Sequence, residues 1–154
     1  MKTFKTGIII FIFLVVYFIQ LFVDISLYYG VYNISVFSGI EIACAVGMII
    51  LINKEFVSAV KKKITGIIFG IIYVLCIAAF VIFLPKYTMS QATEKIQNEN
   101  PSFSYVIVNE NYPVIGLSQN DGLVHSLYVI SANDNSDIKN IYFNPNNGNY
   151  QIQN

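Results

Sequence analysis

Apolar residues run almost unbroken through three stretches of the first half of the chain, and from Lys86 onward they give way to short apolar runs separated by polar clusters. Gly7 to Val23 carries no charge and a single amide, Gln20. As a helix rising 1.5 Å per residue it reaches roughly 25 Å, a short but adequate membrane span. Ile34 to Ile52 is apolar except for Ser35, Ser38 and Glu41, and Ile64 to Leu84 contains nothing more polar than Thr65 and Tyr73. Both are long enough to cross about 30 Å of hydrocarbon. Pro85 follows the third run, where its missing amide hydrogen stops a helix from continuing. Residues 1–85 therefore read as a three-helix transmembrane region, with spans at 7–23, 34–52 and 64–84, and residues 86–154 as a separate domain.

The second half changes period. Thr88 with Gln91 three residues on is a capping-box pattern. Met89, Ala92 and Ile96 then make an apolar stripe at helical spacing, which predicts one amphipathic helix over Ser90 to Glu99. Asn100 and Pro101 end it, because the residue before proline is pushed out of the helical region. Beyond it, runs rich in Tyr, Val and Ile predict strands at Phe103 to Asn109, Tyr112 to Leu117, Leu123 to Ser131, Ile138 to Phe143 and Tyr150 to Ile152. Turn signals separate them at Asn120-Asp121-Gly122, Asn133 to Asp137 and Asn144 to Gly148. The expected fold is three transmembrane helices plus a small α+β domain, one helix followed by an antiparallel meander whose face it covers. A domain of this size makes only a small core.

Charge supplies the orientation. Residues 1–85 hold six Lys against three acids, and residues 86–154 hold three Lys against six acids, so the net charge of zero is a cancellation. Lysine beside a span is retained on the cytoplasmic side. Lys2 and Lys5 precede the first span. Lys54, Lys61, Lys62 and Lys63 fill a basic loop between the second and third, while Asp24 to Asn33 has no lysine at all. The pattern predicts a multi-pass protein of the cell membrane with a cytoplasmic amino terminus and an extracytoplasmic carboxyl-terminal domain. The first run has the outline of a signal peptide, but Gln20 to Tyr29 lacks small-x-small cleavage spacing, and Tyr28, Tyr29 and Tyr32 resemble an interfacial aromatic belt. The basic loop, with Phe56, Val57 and Val60 between its lysines, either lies on the anionic leaflet or only enforces topology.

Ser35, Gly39, Ala43 and Gly47 recur every four residues along the second span, and Gly66 and Gly70 repeat the spacing in the third. Small residues in line let helix backbones approach. The expected use is packing of the second span on the third, and the alternative is a homo-oligomer seam. Glu41 is the one ionisable side chain placed well inside a span, about 10 Å from its outer end. A charge at such depth is costly on insertion scales. Glu41 lies roughly 200° around the helix from the small-residue line, which turns it towards the first span, where Tyr17 and Gln20 lie at comparable depth. Two uses follow: an ion or proton site, or a protonated carboxyl bonded to Tyr17 or Gln20. Cys44 and Cys76 fall within spans and read as small hydrophobes.

The helix Ser90-Gln-Ala-Thr-Glu-Lys-Ile96, the strands after it, and the closing Ile141-Tyr-Phe-Asn-Pro-Asn-Asn-Gly-Asn-Tyr150 resemble the PepSY family, whose modules combine a helix with antiparallel strands and end on a strand running into an acidic turn with glycine. Asn144 stands where Asp is more usual. The resemblance covers residues 88–152 and implies peptide or protein binding, often inhibitory, by a module that is not itself an enzyme.

The composition excludes a soluble enzyme of ordinary size: 55% of residues are hydrophobic, 12% charged, and the mean hydropathy is +0.59. It also excludes a nucleic-acid binder with a basic face. His125 is the only histidine, so it has no second imidazole for a metal. Asn133, Asn135 and Asp137 follow the spacing of a calcium loop but lack its Gly and closing Glu. There is no phosphate-cradling loop and no arginine, and no cofactor or metal is expected. Absent arginine with abundant Ile, Asn and Lys is the composition of a low-GC bacterium. Two functions fit: a non-enzymatic surface module binding a protein or peptide, or a membrane-embedded accessory, transport-related or immunity-type subunit whose spans act while the outer domain caps them.

Overall fold

Each apolar run forms a helix, and two of the three extend beyond their apolar segment. The computed structural model of the chain describes residues 2–54, 57–108, 113–121, 123–134 and 137–153. Helix α1 covers Lys2–Tyr28, α2 Ser35–Asn53 and α3 Ala59–Ile82. Three segments of these helices, Thr6–Tyr28, Ser35–Asn53 and Ala59–Ile82, are long and apolar enough to cross a membrane. The first was expected to end at Val23 because Asp24 is charged. The helix instead continues to Tyr28 and stops where Tyr29 and Gly30 turn left-handed, at φ 54° and 74°. Asp24 is buried, and its Oδ1 accepts from the Tyr32 amide at 3.2 Å. The third helix starts earlier than its apolar run, because Ser58 caps it by accepting from the Lys61 amide at 3.4 Å. Lys61, Lys62 and Lys63 thus stand in the first turns of α3 rather than in a loop, and Lys54 alone of the four lies in the connection.

Two compact units divide the chain: Met1–Phe22 with Ile34–Phe83, and Val23–Asn33 with Leu84–Asn154. The boundary expected at residue 85 therefore misses a part, since 23–33 belongs with the carboxyl-terminal domain. In the helix unit, α2 buries Phe37, Glu41 and Cys44, and α3 buries Tyr73, Cys76 and Phe80. Phe37 and Phe80 meet edge to face at 5.6 Å, and the Cys76 thiol donates to the Phe37 carbonyl at 3.7 Å.

The small-residue line plays a smaller part than expected. A Cβ on Gly47 would come within 2.5 Å of the Phe69 ring, so this glycine does admit α3. Ser35, Gly39 and Ala43 are exposed, and a Cβ on Gly39, Gly66 or Gly70 would meet nothing within 4 Å. Burying Glu41 between helices turns the opposite side of α2 outward, and Ser35, Gly39 and Ala43 go with it.

In the second unit α4 spans Met89–Glu99 with both bonds of its capping box: the Gln91 amide to Thr88 Oγ1 at 3.3 Å and the Thr88 amide to Gln91 Oε1 at 3.0 Å. Among the described residues five antiparallel strands follow: β1 Tyr105–Val108, β2 Val114–Asp121, β3 Val124–Asp134, β4 Asp137–Phe143 and β5 Tyr150–Gln153. The expected meander holds from β2 to β5, but β1 pairs with β3 instead of β2. At 11 residues β3 is long enough to take β2 along Val124 to Tyr128 and β1 along Ile130 to Asn133 on one edge. Met89, Ala92 and Ile96 of α4 join Tyr128, Ile130, Ala132, Ile141 and Phe143 in the core. The Asn-rich turn after β4 closes on Gly148, at φ 77°, where a Cβ would strike the Tyr87 ring at 2.6 Å.

Candidate functional site

The helix unit and the sheet unit each present one arrangement that chemistry can use. In the first, Gln20 of α1 and Glu41 of α2 are buried, and Gln20 Nε2 donates to Glu41 Oε1 at 2.7 Å. Tyr17, expected as an alternative partner, turns its ring edge-on to Phe18 at 5.9 Å. Sequence reasoning missed Tyr73 of α3. It is buried, its ring packs tilted against Phe13 with centroids 4.1 Å apart, and it lies within electrostatic reach of Glu41. Its hydroxyl, Gln20 Oε1 and Glu41 Oε2 are all buried without a hydrogen-bond partner among the described residues. A tyrosine inside an apolar run was the available signal, and it reads equally as an aromatic packing residue.

In the second unit, register divides the sheet into two faces. Val106, Val114, Tyr128, Ile130, Ala132, Ile141 and Phe143 share the face carrying the core. The other face holds Tyr105 and Ile107 of β1, Ile115 of β2, Leu127 and Val129 of β3, and Ile138 and Tyr142 of β4. Tyr105, Ile107, Ile115 and Ile138 are 42, 50, 46 and 67% exposed. At one end of this face Leu127 and Tyr142 adjoin Asn144, Asn147 and Gln151 around an open groove of about 380 Å³. Strand β5 is the free edge beside it, with Gln151, Ile152 and Gln153 exposed.

His125 sits on β3, its backbone amide bonded to Val31 and its Nδ1 buried without a partner among the described residues. Burial, and secondarily the charge of Asp24, raises the Tyr32 hydroxyl well above the ordinary tyrosine range. Burial does the same to Tyr128, whose hydroxyl donates to the Tyr87 carbonyl at 3.1 Å. Of the Asn133 to Asp137 turn, Asn135 lies outside the described residues. Among those described, no group of three or more His, Cys, Asp or Glu is placed to hold a metal ion. No family model, no curated protein and no solved structure matches the chain.

Proposed function

We propose that this chain is a non-enzymatic, three-span membrane protein that displays a small PepSY-like domain outside the cell, where the domain binds or regulates a protein or peptide. The observation that carries the reading is the second face of the sheet. Four large side chains, Tyr105, Ile107, Ile115 and Ile138, stand exposed on it, and it leads into a groove of amides and Tyr142. On this face the exposed apolar side chains are interleaved with Ser131, Asn133 and Asn140, and such exposed apolar groups on a polar, Asn-rich domain support an interaction site. The free β5 edge offers backbone groups to an extended peptide, and neighbouring amides suit its polar groups. The order of one helix followed by antiparallel strands is also what the PepSY resemblance implies.

Membrane insertion rests on the three apolar helices, whose side chains such as Phe11, Phe22, Val74 and Ile82 face outward in the helix unit. The lysine distribution supports a cytoplasmic amino terminus. Residues 23–33 share a unit with the carboxyl-terminal domain, which supports one side for both, as the lysine count requires. The test is crosslinking of the full-length protein in intact cells, followed by recovery of bound protein. Ile107→Lys and Ile138→Lys should abolish capture while preserving membrane level, whereas capture unaffected by both would remove the sheet face from the function. The buried Gln20, Glu41 and Tyr73 favour a second reading, in which the spans act. There Glu41→Gln abolishes function and the sheet variants leave it intact.

A further inference from the structure

Each helix of the helix unit contributes one buried polar side chain to its interior: Gln20 from α1, Glu41 from α2 and Tyr73 from α3, each more than nine-tenths buried. One hydrogen bond is made, Gln20 Nε2 to Glu41 Oε1 at 2.7 Å. Three oxygens, Gln20 Oε1, Glu41 Oε2 and the Tyr73 hydroxyl, have no partner among the described residues. Buried polar atoms without partners are costly, and more so in apolar surroundings.

Counting donors shows what the cluster needs. With Glu41 ionised, the Tyr73 hydroxyl can serve Oε2. Gln20 Oε1 then has no donor left within the triad, and a full charge sits among thiols and apolar side chains. One proton on Glu41 Oε2 changes the count. Oε2–H donates to the Tyr73 oxygen, the Tyr73 hydroxyl donates to Gln20 Oε1, and the existing Gln20 to Glu41 bond closes a ring. A single proton, with side-chain rotation, satisfies all three oxygens. Among the described residues, the groups that bond or couple electrostatically to Glu41 are Gln20 from α1, Tyr73 and Cys76 from α3, and Cys44 on its own helix. None of these is a base that would hold the carboxylate ionised. One carboxylate and two neutral oxygens are too few ligands for calcium or magnesium.

We propose that Gln20, Glu41 and Tyr73 form an exchangeable proton-binding site inside the helix unit, and that its occupancy governs how firmly α1 is held to α2 and α3. Two contacts tie α1 to its neighbours through members of the site: Gln20 with Glu41, and the Phe13 ring against Tyr73, tilted 38° with centroids 4.1 Å apart. On release the Glu41 Oε2–H bond breaks and the proton passes to water as hydronium, leaving a carboxylate. The carboxylate draws water into the interior, because a charge there is poorly tolerated, and α1 loosens. Uptake of a proton from water reverses the step. This inference is independent of the outer-face reading, which survives its failure.

The experiment is infrared difference spectroscopy of the full-length protein in lipid nanodiscs, titrated with pH in H2O and D2O. At neutral pH a carboxylic-acid carbonyl band should be present, shift in D2O, and convert to a carboxylate band on alkalinisation. It should be missing from Glu41→Gln and displaced in frequency in Tyr73→Phe, a conservative change that keeps the ring. Amide hydrogen exchange in α1 should rise with the conversion in the wild type and stay constant in Glu41→Gln. A carboxylate already present at neutral pH would overturn the proposal, as would an acid band that neither exchanges nor titrates. Conversion by added sodium at constant pH would replace the proton with an alkali cation. Unchanged α1 exchange through the conversion would overturn the link to helix attachment.

Discussion

The backbone amide of His125 donates to the carbonyl of Val31 at 3.0 Å, and the Asn33 amide donates to the Leu123 carbonyl at 2.8 Å. Tyr32 thereby forms an antiparallel bridge with Val124. On that edge of β3, pairing with β4 ends at Tyr128 and Phe143, so the loop between the first two helices takes up the strand edge that β4 vacates. Unpaired strand edges invite aggregation and foreign pairing. Residues 31–33 cover this one, and the fully buried Val31 and Tyr32 are part of the domain's interior.

Val31→Asp should destabilise the carboxyl-terminal domain by at least about 3 kcal/mol, because it buries a carboxylate with no partner. Urea denaturation of the full-length protein in micelles, followed by tyrosine fluorescence, measures this. By the same reasoning residues 86–154 expressed alone should be less stable than when the 23–33 segment is supplied by a linker.

An impermeant maleimide applied to intact cells should label Asn146→Cys and leave Ser58→Cys unlabelled, with Cys44 and Cys76 replaced. Both positions are exposed on the protein, so sidedness alone decides the result. The reverse pattern would place the domain inside the cell.

Gly47 and Gly39 should respond oppositely to the same substitution. Gly47→Ala meets the Phe69 ring at 2.5 Å and should lower the melting point of the helix unit, at a cost of about 1–3 kcal/mol for overpacking. Gly39→Ala has open space within 4 Å and should be neutral or slightly stabilising. Adding Phe69→Ala to Gly47→Ala should remove the clash, giving a non-additive cycle by thermal unfolding.

Thr88→Ala removes the acceptor for the Gln91 amide and should cost about 1 kcal/mol of stability in the carboxyl-terminal domain. Amide exchange in the first turn of α4 should rise first. Gln91→Ala, which keeps the Thr88 hydroxyl, should cost less.

The raised hydroxyls of Tyr32 and Tyr128 set an alkaline limit. Both titrate higher in the folded protein than in the unfolded chain. Their contribution is therefore complete below the unfolded tyrosine value of about 10 and is lost as pH rises above it. Circular dichroism should show falling stability from that pH upward, together with the rise of phenolate absorbance. Tyr32→Phe should flatten the alkaline loss.

What the chain carries locally was legible. Three apolar runs became three helices, Thr88 and Gln91 became a capping box, and all five strand runs became strands within a few residues of their expected ends. Even the partner of Glu41 was among those expected, because helical periodicity turned it towards Gln20. Where a charge was taken as a boundary, the reading erred. Asp24 did not end α1 and the lysines did not delay α3, since a cap or a buried bond can carry a helix past them.

The sequence alone determined the elements, because turn chemistry, capping and hydrophobic period act between residues a few positions apart. Tertiary structure decided the rest. It set Tyr73 within electrostatic reach of Glu41, left Ser35, Gly39 and Ala43 of α2 facing outward, paired β1 with β3, and added residues 31–33 to the sheet. Each of these joins residues far apart in the chain. Such pairings are chosen by which packing satisfies the most buried backbone and side-chain groups at once, and no local pattern records that choice.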